Sequence, residues 1–394
     1  LEGQTNSYIK VKSSLQALKD MALLYRNNLD IKVVGITGSV GKTSTKETIS
    51  YVLNKKYKVL KTEGNFNNEI GLPLTVFRLR DDDEVAVLEM GISDFGEMDR
   101  LSKIAQPDIS VITNIGLCHL ENLKTRDGIL KAKTEIFNNM KPDGIAILNG
   151  DDDKLITVDE VNGKKPERFG INYKDGVYAK DIENLGLSGT KFVISGLNCV
   201  DGCKDFDVTV PVPGHHMIYN ALAAACVGAA LELTSAQIAD GIADLKTISG
   251  RNNIIKTSKY TLIDDCYNAN PVSMKASVDV LDMAIGRKVC ILGNMYELGE
   301  NEKNLHYDVG QYIGTKNIDV LITIGDLARH IAMGTDDYME THFGSYDCKI
   351  HSFDDMEEFN MAYSSILKDN DNILIKASHA MKFADIVELL SKDN

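Results

Sequence analysis

A glycine-rich segment between an aliphatic run and a helical pattern limits most strongly how this chain of 394 residues can fold. The aliphatic run, residues 31–36, is typical of a short buried strand, and residues from about 43 to 53 recur with helical spacing. A strand, a tight glycine loop and a helix in this order predict one unit of a parallel α/β sheet. The loop itself consists of Thr37, Gly38, Ser39, Val40, Gly41, Lys42, Thr43 and Ser44.

This loop has the residue types that bind a phosphate group. Glycines let successive backbone N–H groups turn inward around phosphate oxygens, and the N-terminus of the following helix adds partial positive charge. The ammonium of Lys42 can reach the outer phosphates of a nucleoside triphosphate, and the hydroxyl of Thr43 can bind Mg²⁺. The usual loop has a glycine five residues before Gly41, where this chain has Ile36. We therefore predict a variant ATP-binding loop; the alternative is a plain glycine turn with a surface lysine.

The alternation of strands and helices continues along the chain and predicts an α/β fold. Near-continuous aliphatic runs at 85–88, 109–112 and 145–148 indicate buried strands of a parallel sheet that is covered by helices on both faces. Alternating polar and apolar residues between about 165 and 212 predict an antiparallel β insert. An alanine-rich helix is predicted next, from about 219 to 231.

A second α/β unit is predicted after this helix. Its strand-like runs are residues 260–263, 288–292, 320–324 and 373–376. We therefore expect a P-loop-type central parallel-sheet domain at 31–249 and a Rossmann-like α/β C-terminal domain at 250–394. A linker and a helix at 1–30 would precede them, and the junction near 248–252 would be a hinge.

The charge of the chain narrows the range of its partners. A formal net charge of −14 argues against nucleic acid or an anionic membrane surface as the main partner. No run of about twenty apolar residues is present, so the sequence predicts no membrane span. Seven scattered cysteines are typical of reduced thiols in the cytoplasm, and the close pair Cys199 and Cys203 has no second pair with which to hold zinc. We expect a cytoplasmic monomer.

Polar residues beyond the next strands are candidate ligands for a metal or a substrate. Glu89 follows an aliphatic run, where a carboxylate can bind Mg²⁺ at the carboxyl edge of the sheet, and His119 follows the next run. The alternatives are a surface glutamate and a structural histidine. Lys133 lies on a predicted helix, where a lysine is ordinarily solvated. Asn67 and Asn68 lie in a polar segment that either holds a substrate through side-chain amides or forms turns.

The order of these motifs resembles that of the Mur ligase family over nearly the whole chain. The matching segments are Thr37–Thr43, Gly64–Gly71, Glu89–Gly91, Thr113–Leu120, Ala132–Ile136, Pro213–Asn220, Gly250–Arg251, Asp264–Pro271 and Gly293–Gly299. The resemblance implies ATP-dependent amide-bond formation through an acyl phosphate. Within the family, residues 267–271 and 295–299 are most similar to the ligases that add D-alanyl-D-alanine to UDP-N-acetylmuramoyl-tripeptide, a nucleotide-sugar peptide, in peptidoglycan precursor synthesis.

The resemblance also implies roles for the matching residues. Lys42 and its loop would hold the ATP phosphates, and Thr43 and Glu89 would bind one Mg²⁺. His119 would help to bind a second Mg²⁺, together with Lys133 after carbamylation of its amine by CO₂. Further contacts to ATP would come from His216, Asn220, Arg251, Asp265, Tyr267 and Asn268. The peptide and dipeptide substrates would meet Asn67, Asn68, Asn270 and Lys376.

Two departures from the family pattern bear on these roles. Residues 376–379 read Lys-Ala-Ser-His where the family has Lys-Gly-Ser-Arg, which weakens the assignment of this loop to the incoming dipeptide. The helix at 13–26 resembles the segment that follows the family's N-terminal UDP-binding domain, so we expect that domain to be missing. Two alternatives stay open: an amide ligase of this type for a different acid without UDP, and a nucleotide-binding scaffold without ligase activity.

Overall fold

The computed structural model describes residues 9–343 and 348–392, so the first eight residues of the predicted N-terminal linker lie outside the described part. The α-helices are α1 (Ser14–Asn27), α2 (Lys42–Leu53), α3 (Gly71–Val76), α4 (Glu97–Ala105), α5 (Leu120–Leu123), α6 (Arg126–Thr134), α7 (His216–Ala230), α8 (Ser235–Ala243), α9 (Pro271–Asp282), α10 (Glu302–Gly314), α11 (Arg329–Phe343), α12 (Met356–Ile366) and α13 (Ala384–Lys392). Short 3-10 helices span Glu135–Phe137, Leu155–Thr157, Gly186–Ser188, Gly299–Asn301 and His379–Met381.

The β-strands belong to two sheets. They are β1 (Lys32–Thr37), β2 (Val59–Lys61), β3 (Val85–Glu89), β4 (Ile109–Ile112), β5 (Ile145–Asn149), β6 (Glu167–Gly170), β7 (Val177–Asn184), β8 (Thr190–Ser195), β9 (Asp205–Val210), β10 (Asn253–Lys256), β11 (Thr261–Asp264), β12 (Lys288–Gly293), β13 (Val320–Ile324), β14 (Lys349–Phe353) and β15 (Asn372–Lys376). We call the elements from α1 to α8 the first unit and those from β10 to α13 the second unit.

The sheet of the first unit has the order β2-β3-β1-β4-β5-β6-β7-β8-β9 within the described residues. Its strands pair in parallel from β2 to β7. The last two pairings, β7 with β8 and β8 with β9, are antiparallel, as the alternating sequence in this region predicts. These strands extend the main sheet at one edge.

Two hydrophobic cores cover the two faces of this sheet, because neighbouring residues of a strand point to opposite faces. In β1, Val34 and Ile36 pack with α2 and α7 on one face, and Val33 packs on the other face, where α1, α4 and α6 contribute residues. Each of these three valine and isoleucine side chains is completely buried. Burial on both faces explains why the sequence shows continuous aliphatic runs and not an alternating pattern.

The strand order places the end of β1 at a reversal of the sheet. From β1 the chain moves to β2 and β3 on one side, and β4 lies on the other side. In open α/β sheets, the crevice for a ligand lies outside the carboxyl ends of the strands at such a reversal. The glycine loop at 38–41 therefore lies where this topology creates a binding crevice.

The sheet of the second unit has the order β10-β11-β15-β12-β13-β14 in the described part of the chain. All pairings are parallel except that of β10 with β11. It also carries a hydrophobic core on each face. Both units are thus α/β, as predicted, and none of the described helices is long and apolar enough to cross a membrane.

Candidate active site

The glycine loop after β1 has the shape of an anion-binding turn. Gly38 and Gly41 have φ angles of 153° and 81°, which residues with a side chain rarely adopt. A Cβ atom on Gly38 would lie 1.9 Å from the hydroxyl oxygen of Thr113, so no larger residue fits there. Gly41 is the N-cap of α2 and supplies no side-chain cap. The first amides of α2 are therefore available to an anion.

Residues that follow β4 fix the shape of this loop. The backbone N–H of Val40 donates to Asn114 Oδ1 at 3.0 Å, and Asn114 Nδ2 donates back to the Val40 carbonyl oxygen at 2.9 Å. The Thr113 hydroxyl donates to the same carbonyl at 2.7 Å. Sequence reasoning noted this segment but missed the role of its asparagine. A polar side chain directly after the strand next to β1 is the signal that could have revealed it.

Lys42 is folded over its own loop. Its Nζ donates to the carbonyl oxygens of Gly38 at 2.9 Å and of Ser39 at 3.4 Å. No carboxylate of the described residues forms an ion pair with it. Its charge is therefore free to meet an incoming phosphate.

Glu89 is buried at the end of β3 and meets the loop helix directly. Its Oε2 accepts a hydrogen bond from the Thr43 hydroxyl at 2.9 Å, and its Oε1 accepts one from Asn67 Nδ2 at 2.9 Å. Only 2% of Glu89 is exposed. Three side chains that sequence reasoning selected from separate motifs are thus in mutual contact.

Lys133 is buried although it lies on a helix, so it is not the solvated lysine that helical position alone suggests. Only 1% of it is exposed, and no described residue accepts a hydrogen bond from its Nζ or forms an ion pair with it. Burial, together with the positive charge of Lys42, lowers the pKa of Lys133 to about 7. An amine in this environment is largely uncharged at slightly alkaline pH and is therefore nucleophilic.

His119 lies in the same electrostatic neighbourhood. Burial and the positive charges of Lys133 and Lys42 lower its pKa to about 4, so the imidazole is neutral near pH 7 and can act as a ligand. Its φ angle of 50° is unusual for a residue with a side chain. Its Nδ1 lies 3.6 Å from Oε2 of Glu297, a residue of the second unit.

A cavity of about 760 Å³ opens between the two units. From the first unit, its walls contain Asn67, Glu89, Asn220 and the loop and helix residues 39–45. The walls from the second unit and the connecting segment include Arg251, Asp265, Tyr267, Asn268, Asn270 and Lys376. Most of the predicted site residues therefore line one space that both units enclose. Asn68, His119 and Lys133 do not line it.

The residues from the second unit are largely bonded to one another. Lys376 Nζ donates to Asp265 Oδ2 at 2.6 Å and to the Asn268 carbonyl oxygen at 2.9 Å. Asp265 also accepts from the Ser277 hydroxyl at 2.5 Å and from the backbone N–H of Asn252 at 3.1 Å. Lys376 and Asp265 thus form a buried, hydrogen-bonded pair within the cavity wall.

Aromatic stacking shapes the same wall. The guanidinium of Arg251 lies over the ring of Tyr267, with 4.3 Å between its Cζ and the ring centroid. The ring of Tyr267 also has His379 as a neighbour, with 5.6 Å between the ring centroids. His379 stands where the family pattern has arginine. Both contacts restrict the position of the tyrosine ring in the wall of the cavity.

Two of the predicted substrate residues bond to backbone at the beginning of a helix. Asn270 is the N-cap of α9, where its Oδ1 accepts from the Ser273 backbone N–H at 2.9 Å. Asn68 Oδ1 accepts from the backbone N–H groups of Ile70 and Gly71 at the start of α3. Asn68 therefore forms a turn, whereas the adjacent Asn67, which bonds to Glu89, lines the cavity.

His216 and Asn220 lie on the first turns of α7. Asn220 Oδ1 accepts from the Thr45 hydroxyl at 2.9 Å, which joins α7 to the loop helix α2. His216 Nε2 lies 3.3 Å from Asn252 Nδ2, across the boundary between the units. Its Nδ1 is buried without a partner among the described residues, and burial lowers its pKa. Both side chains are close enough to the cavity to contact a ligand there.

Sequence reasoning missed an acidic group that borders the cavity, Asp151 to Asp153. Three carboxylates directly after β5, at the same edge of the sheet as Glu89, were the available signal. Asp151 accepts from the Tyr219 hydroxyl at 2.9 Å, and Asp152 accepts from the Ile115 backbone N–H at 2.8 Å. These contacts brace the segment that follows β4.

The arrangement fits a nucleoside triphosphate with Mg²⁺. Backbone amides, a helix N-terminus and Lys42 present positive charge at one end of the cavity, and the Thr43 and Glu89 oxygens present ligands of the kind that Mg²⁺ prefers. Among the described residues no three His, Cys, Asp or Glu side chains form a complete metal site. Phosphate oxygens would therefore have to complete the coordination of Mg²⁺.

Comparison with known proteins agrees with this geometry. Residues 36–228 match the family model of the Mur ligase middle domain, and residues 250–379 match the Mur ligase, glutamate ligase domain. The chain is 37% identical to the UDP-N-acetylmuramoyl-tripeptide--D-alanyl-D-alanine ligase of Bacillus subtilis (strain 168). That alignment covers 98% of this chain and 81% of the relative.

Solved structures show the same similarity. MurF from Acinetobacter baumannii superposes with a TM-score of 0.88 at 30% identity, over 98% of this chain and 82% of that one. The MurF ligase of Thermotoga maritima, solved in complex with ADP, gives a TM-score of 0.84 at 31% identity, over 99% of this chain and 87% of that one. The chain belongs to the Mur ligase family.

Proposed function

We propose that this protein is the ATP-dependent ligase that joins D-alanyl-D-alanine to UDP-N-acetylmuramoyl-tripeptide, a step of peptidoglycan precursor synthesis. The observation that carries the proposal is the placement of the phosphate loop, Thr43 and Glu89 at one end of a cavity that both units enclose. Relatives with this named activity align over nearly the whole chain. The products would be the amide, ADP and phosphate.

The reaction begins with activation of the tripeptide carboxylate, which is a poor electrophile. Transfer of the γ-phosphoryl group of ATP gives an acyl phosphate with a good leaving group. In such a transfer, positioning and neutralisation of charge supply most of the catalysis. Lys42 and the loop amides hold the phosphates, and bound Mg²⁺ would neutralise the charge that develops on the transferring oxygens.

Thr43 and Glu89 would hold the first Mg²⁺. Asn67, which bonds to the Glu89 carboxylate, would contact the peptide substrate. His119 and a carbamylated Lys133 would hold a second Mg²⁺. The buried, unpaired amine of Lys133 supports this assignment, because addition of CO₂ converts it into an anion. The carbamate would also compensate the positive charge of Lys42.

The amine of D-alanyl-D-alanine then attacks the acyl carbon, and the tetrahedral intermediate expels phosphate. Before this attack the acyl phosphate has to be kept from water. Residues of both units border the cavity, so that approach of the units would exclude solvent. His216, Asn220, Arg251, Tyr267 and Asn268 would contact the nucleotide, and the paired Asp265 and Lys376 would stabilise the wall that they share with these residues.

We further propose that the protein works as a monomer in the cytoplasm on small-molecule substrates, without a nucleic-acid or membrane partner. Its free cysteines and its acidic charge support this proposal.

A reconstituted reaction tests the function. The purified chain is incubated with MgATP, UDP-N-acetylmuramoyl-tripeptide and D-alanyl-D-alanine, and mass spectrometry follows the amide while phosphate release is measured in parallel. We expect one phosphate for each amide and neither product when one substrate is omitted. Phosphate release without amide, or faster amide formation with an acid that lacks UDP, would contradict the proposal.

A further inference from the structure

Lys46 is a buried cation that the mechanism above does not use. It lies one helical turn beyond Lys42 on α2, and only 2% of it is exposed. Burial of an ammonium is costly unless it is paired and hydrogen-bonded, so its partners indicate what it stabilises.

Two of the three partners of Lys46 are Glu89 itself and a residue bonded to it. Its Nζ donates to the carbonyl oxygen of Thr62 at 2.7 Å and lies 4.0 Å from Glu89 Oε2. The same Thr62 accepts a hydrogen bond through its hydroxyl oxygen from the Glu89 backbone N–H at 3.0 Å. Glu47 forms an ion pair with Lys46 at 3.1 Å. Lys46 thus forms an ion pair with Glu89 and also bonds to Thr62, which in turn bonds to the Glu89 backbone.

This network holds Glu89 through both its carboxylate and its backbone. The Glu89 oxygens accept hydrogen bonds from Thr43 and Asn67, which line the cavity. Lys46 and Thr62 are not among the lining residues, and they meet the Glu89 carboxylate and backbone N–H respectively. Partners behind a metal ligand orient it and typically change metal affinity or activity by about 10- to 100-fold when they are removed.

We propose that Lys46 is a positioning residue that holds the Glu89 carboxylate in line with the Thr43 hydroxyl and thereby sets how well Mg²⁺ promotes nucleotide binding. This inference rests on the proposed function, because it assigns the carboxylate to Mg²⁺. Lys46 is not among the residues that line the cavity. Its effect is therefore expected in the magnesium dependence and not in the affinity for the peptide substrates.

The test uses Lys46→Met, with Lys61→Met as a matched control. Lys61 forms an ion pair with the same Glu47 but is more exposed, and it has no ion pair with Glu89. Calorimetry measures ADP binding with and without Mg²⁺, and kinetics give kcat, the KM of each substrate and the Mg²⁺ concentration for half-maximal rate. For Lys46→Met we expect about a 10-fold smaller enhancement of ADP binding by Mg²⁺ and a kcat lower by about 10- to 100-fold. Both peptide KM values and magnesium-free ADP binding should stay as in the wild type, and Lys46→Arg should restore part of the loss.

A role in folding alone would give a different result, namely a lower unfolding temperature with normal magnesium dependence per folded molecule, and that result would overturn the proposal. If Lys46→Met does not fold, Lys46→Gln takes its place, because an amide can still donate to Thr62. The ADP measurement needs no acid substrate. If the wild type binds ADP in a magnesium-dependent way but forms no amide, the proposed function is refuted. The inference about Lys46 is then still tested by the ADP binding of the variants.

Discussion

The two units that enclose the cavity differ in how their lysines in and near the site are satisfied. On the first unit, Lys42 bonds only to its own loop and the buried Lys133 has no partner among the described residues. On the second unit, Asp265 and Lys376 pair with each other. Unsatisfied groups are available for phosphate, metal or CO₂, whereas satisfied groups give a wall a fixed shape. The difference indicates that the first unit performs the chemistry and that the second unit shapes and covers the site.

Substitution in the reactive wall should have the largest effect. Lys42→Ala removes the mobile cation from the phosphate loop, and we expect loss of about 10³-fold or more in kcat for ATP-dependent phosphate release. Circular dichroism should show an unchanged fold, because the side chain bonds only to nearby carbonyls. If Lys42→Ala turned over at the wild-type rate, Lys42 would have no part in the mechanism. The assignment of the chemistry to the first unit would then lose its main support.

The next largest effect is expected at Lys133. Lys133→Ala prevents carbamylation, and we expect a decrease of roughly 100-fold in kcat, partly reversed by millimolar acetate or another short carboxylic acid that can enter the space and bind Mg²⁺. The neighbouring Lys131→Ala is the matched control. In the wild type, a carbamate signal should appear in ¹³C NMR spectra after addition of ¹³C-bicarbonate. Full activity of Lys133→Ala without added acid would exclude the carbamate.

A smaller effect on catalysis is expected for the satisfied wall. Asp265→Asn leaves the buried ammonium of Lys376 without its anion, which should lower the free energy of unfolding by about 3 to 5 kcal/mol. Chemical denaturation measures this loss. Because the oxygens of Asp265 are already bonded to Lys376, Ser277 and Asn252, kcat per folded molecule should fall less than for Lys133→Ala. A loss of activity as large as that of Lys42→Ala, with normal stability, would instead place Asp265 among the reactive groups.

The smallest effect is expected at Asn68, whose side chain bonds to the backbone N–H groups of Ile70 and Gly71 and does not line the cavity. Asn68→Ala removes these hydrogen bonds, which should cost about 1 kcal/mol of stability and leave the KM for the peptide substrate unchanged. Asn67→Ala is its counterpart, and that variant should change the KM or the kcat because the side chain bonds to Glu89. Equal kinetic defects in the two variants would show that both asparagines meet the substrate.

Local patterns were sufficient to predict the strands and helices that carry the site. The order β1, loop and α2 could be predicted because the aliphatic run, the glycines and the helical spacing are adjacent in sequence. The alanine-rich helix was also predicted, although α7 begins at His216, three residues before the expected start. The side-chain identities of Thr43 and Glu89 indicated Mg²⁺ before their contact was known.

Burial and long-range pairing could not be predicted in the same way. A lysine on a helix is usually solvated, and only the packing of α6 against the sheet reveals that Lys133 is buried. The pair of Lys376 with Asp265 joins residues 111 positions apart, a contact that no local pattern contains. The role of Lys46 could not be predicted for a related reason, because two of its three partners, Thr62 and Glu89, are distant in sequence and only Glu47 lies on its own helix.

The hydrogen bonds of the segment that connects the two units bear on where the units could rotate relative to each other. Leu245 still packs in a core of the first unit, whereas Thr247 donates to Asn253 Oδ1 at 2.7 Å, at the start of the second unit. The backbone N–H of Gly250 donates to Asp264 at 2.7 Å, so this stretch travels with β11. Between them only the exposed Lys246 belongs to neither side. If the two units rotate relative to each other, we therefore expect the rotation at Lys246 and not at the predicted hinge, 248–252, which bonds mainly to the second unit.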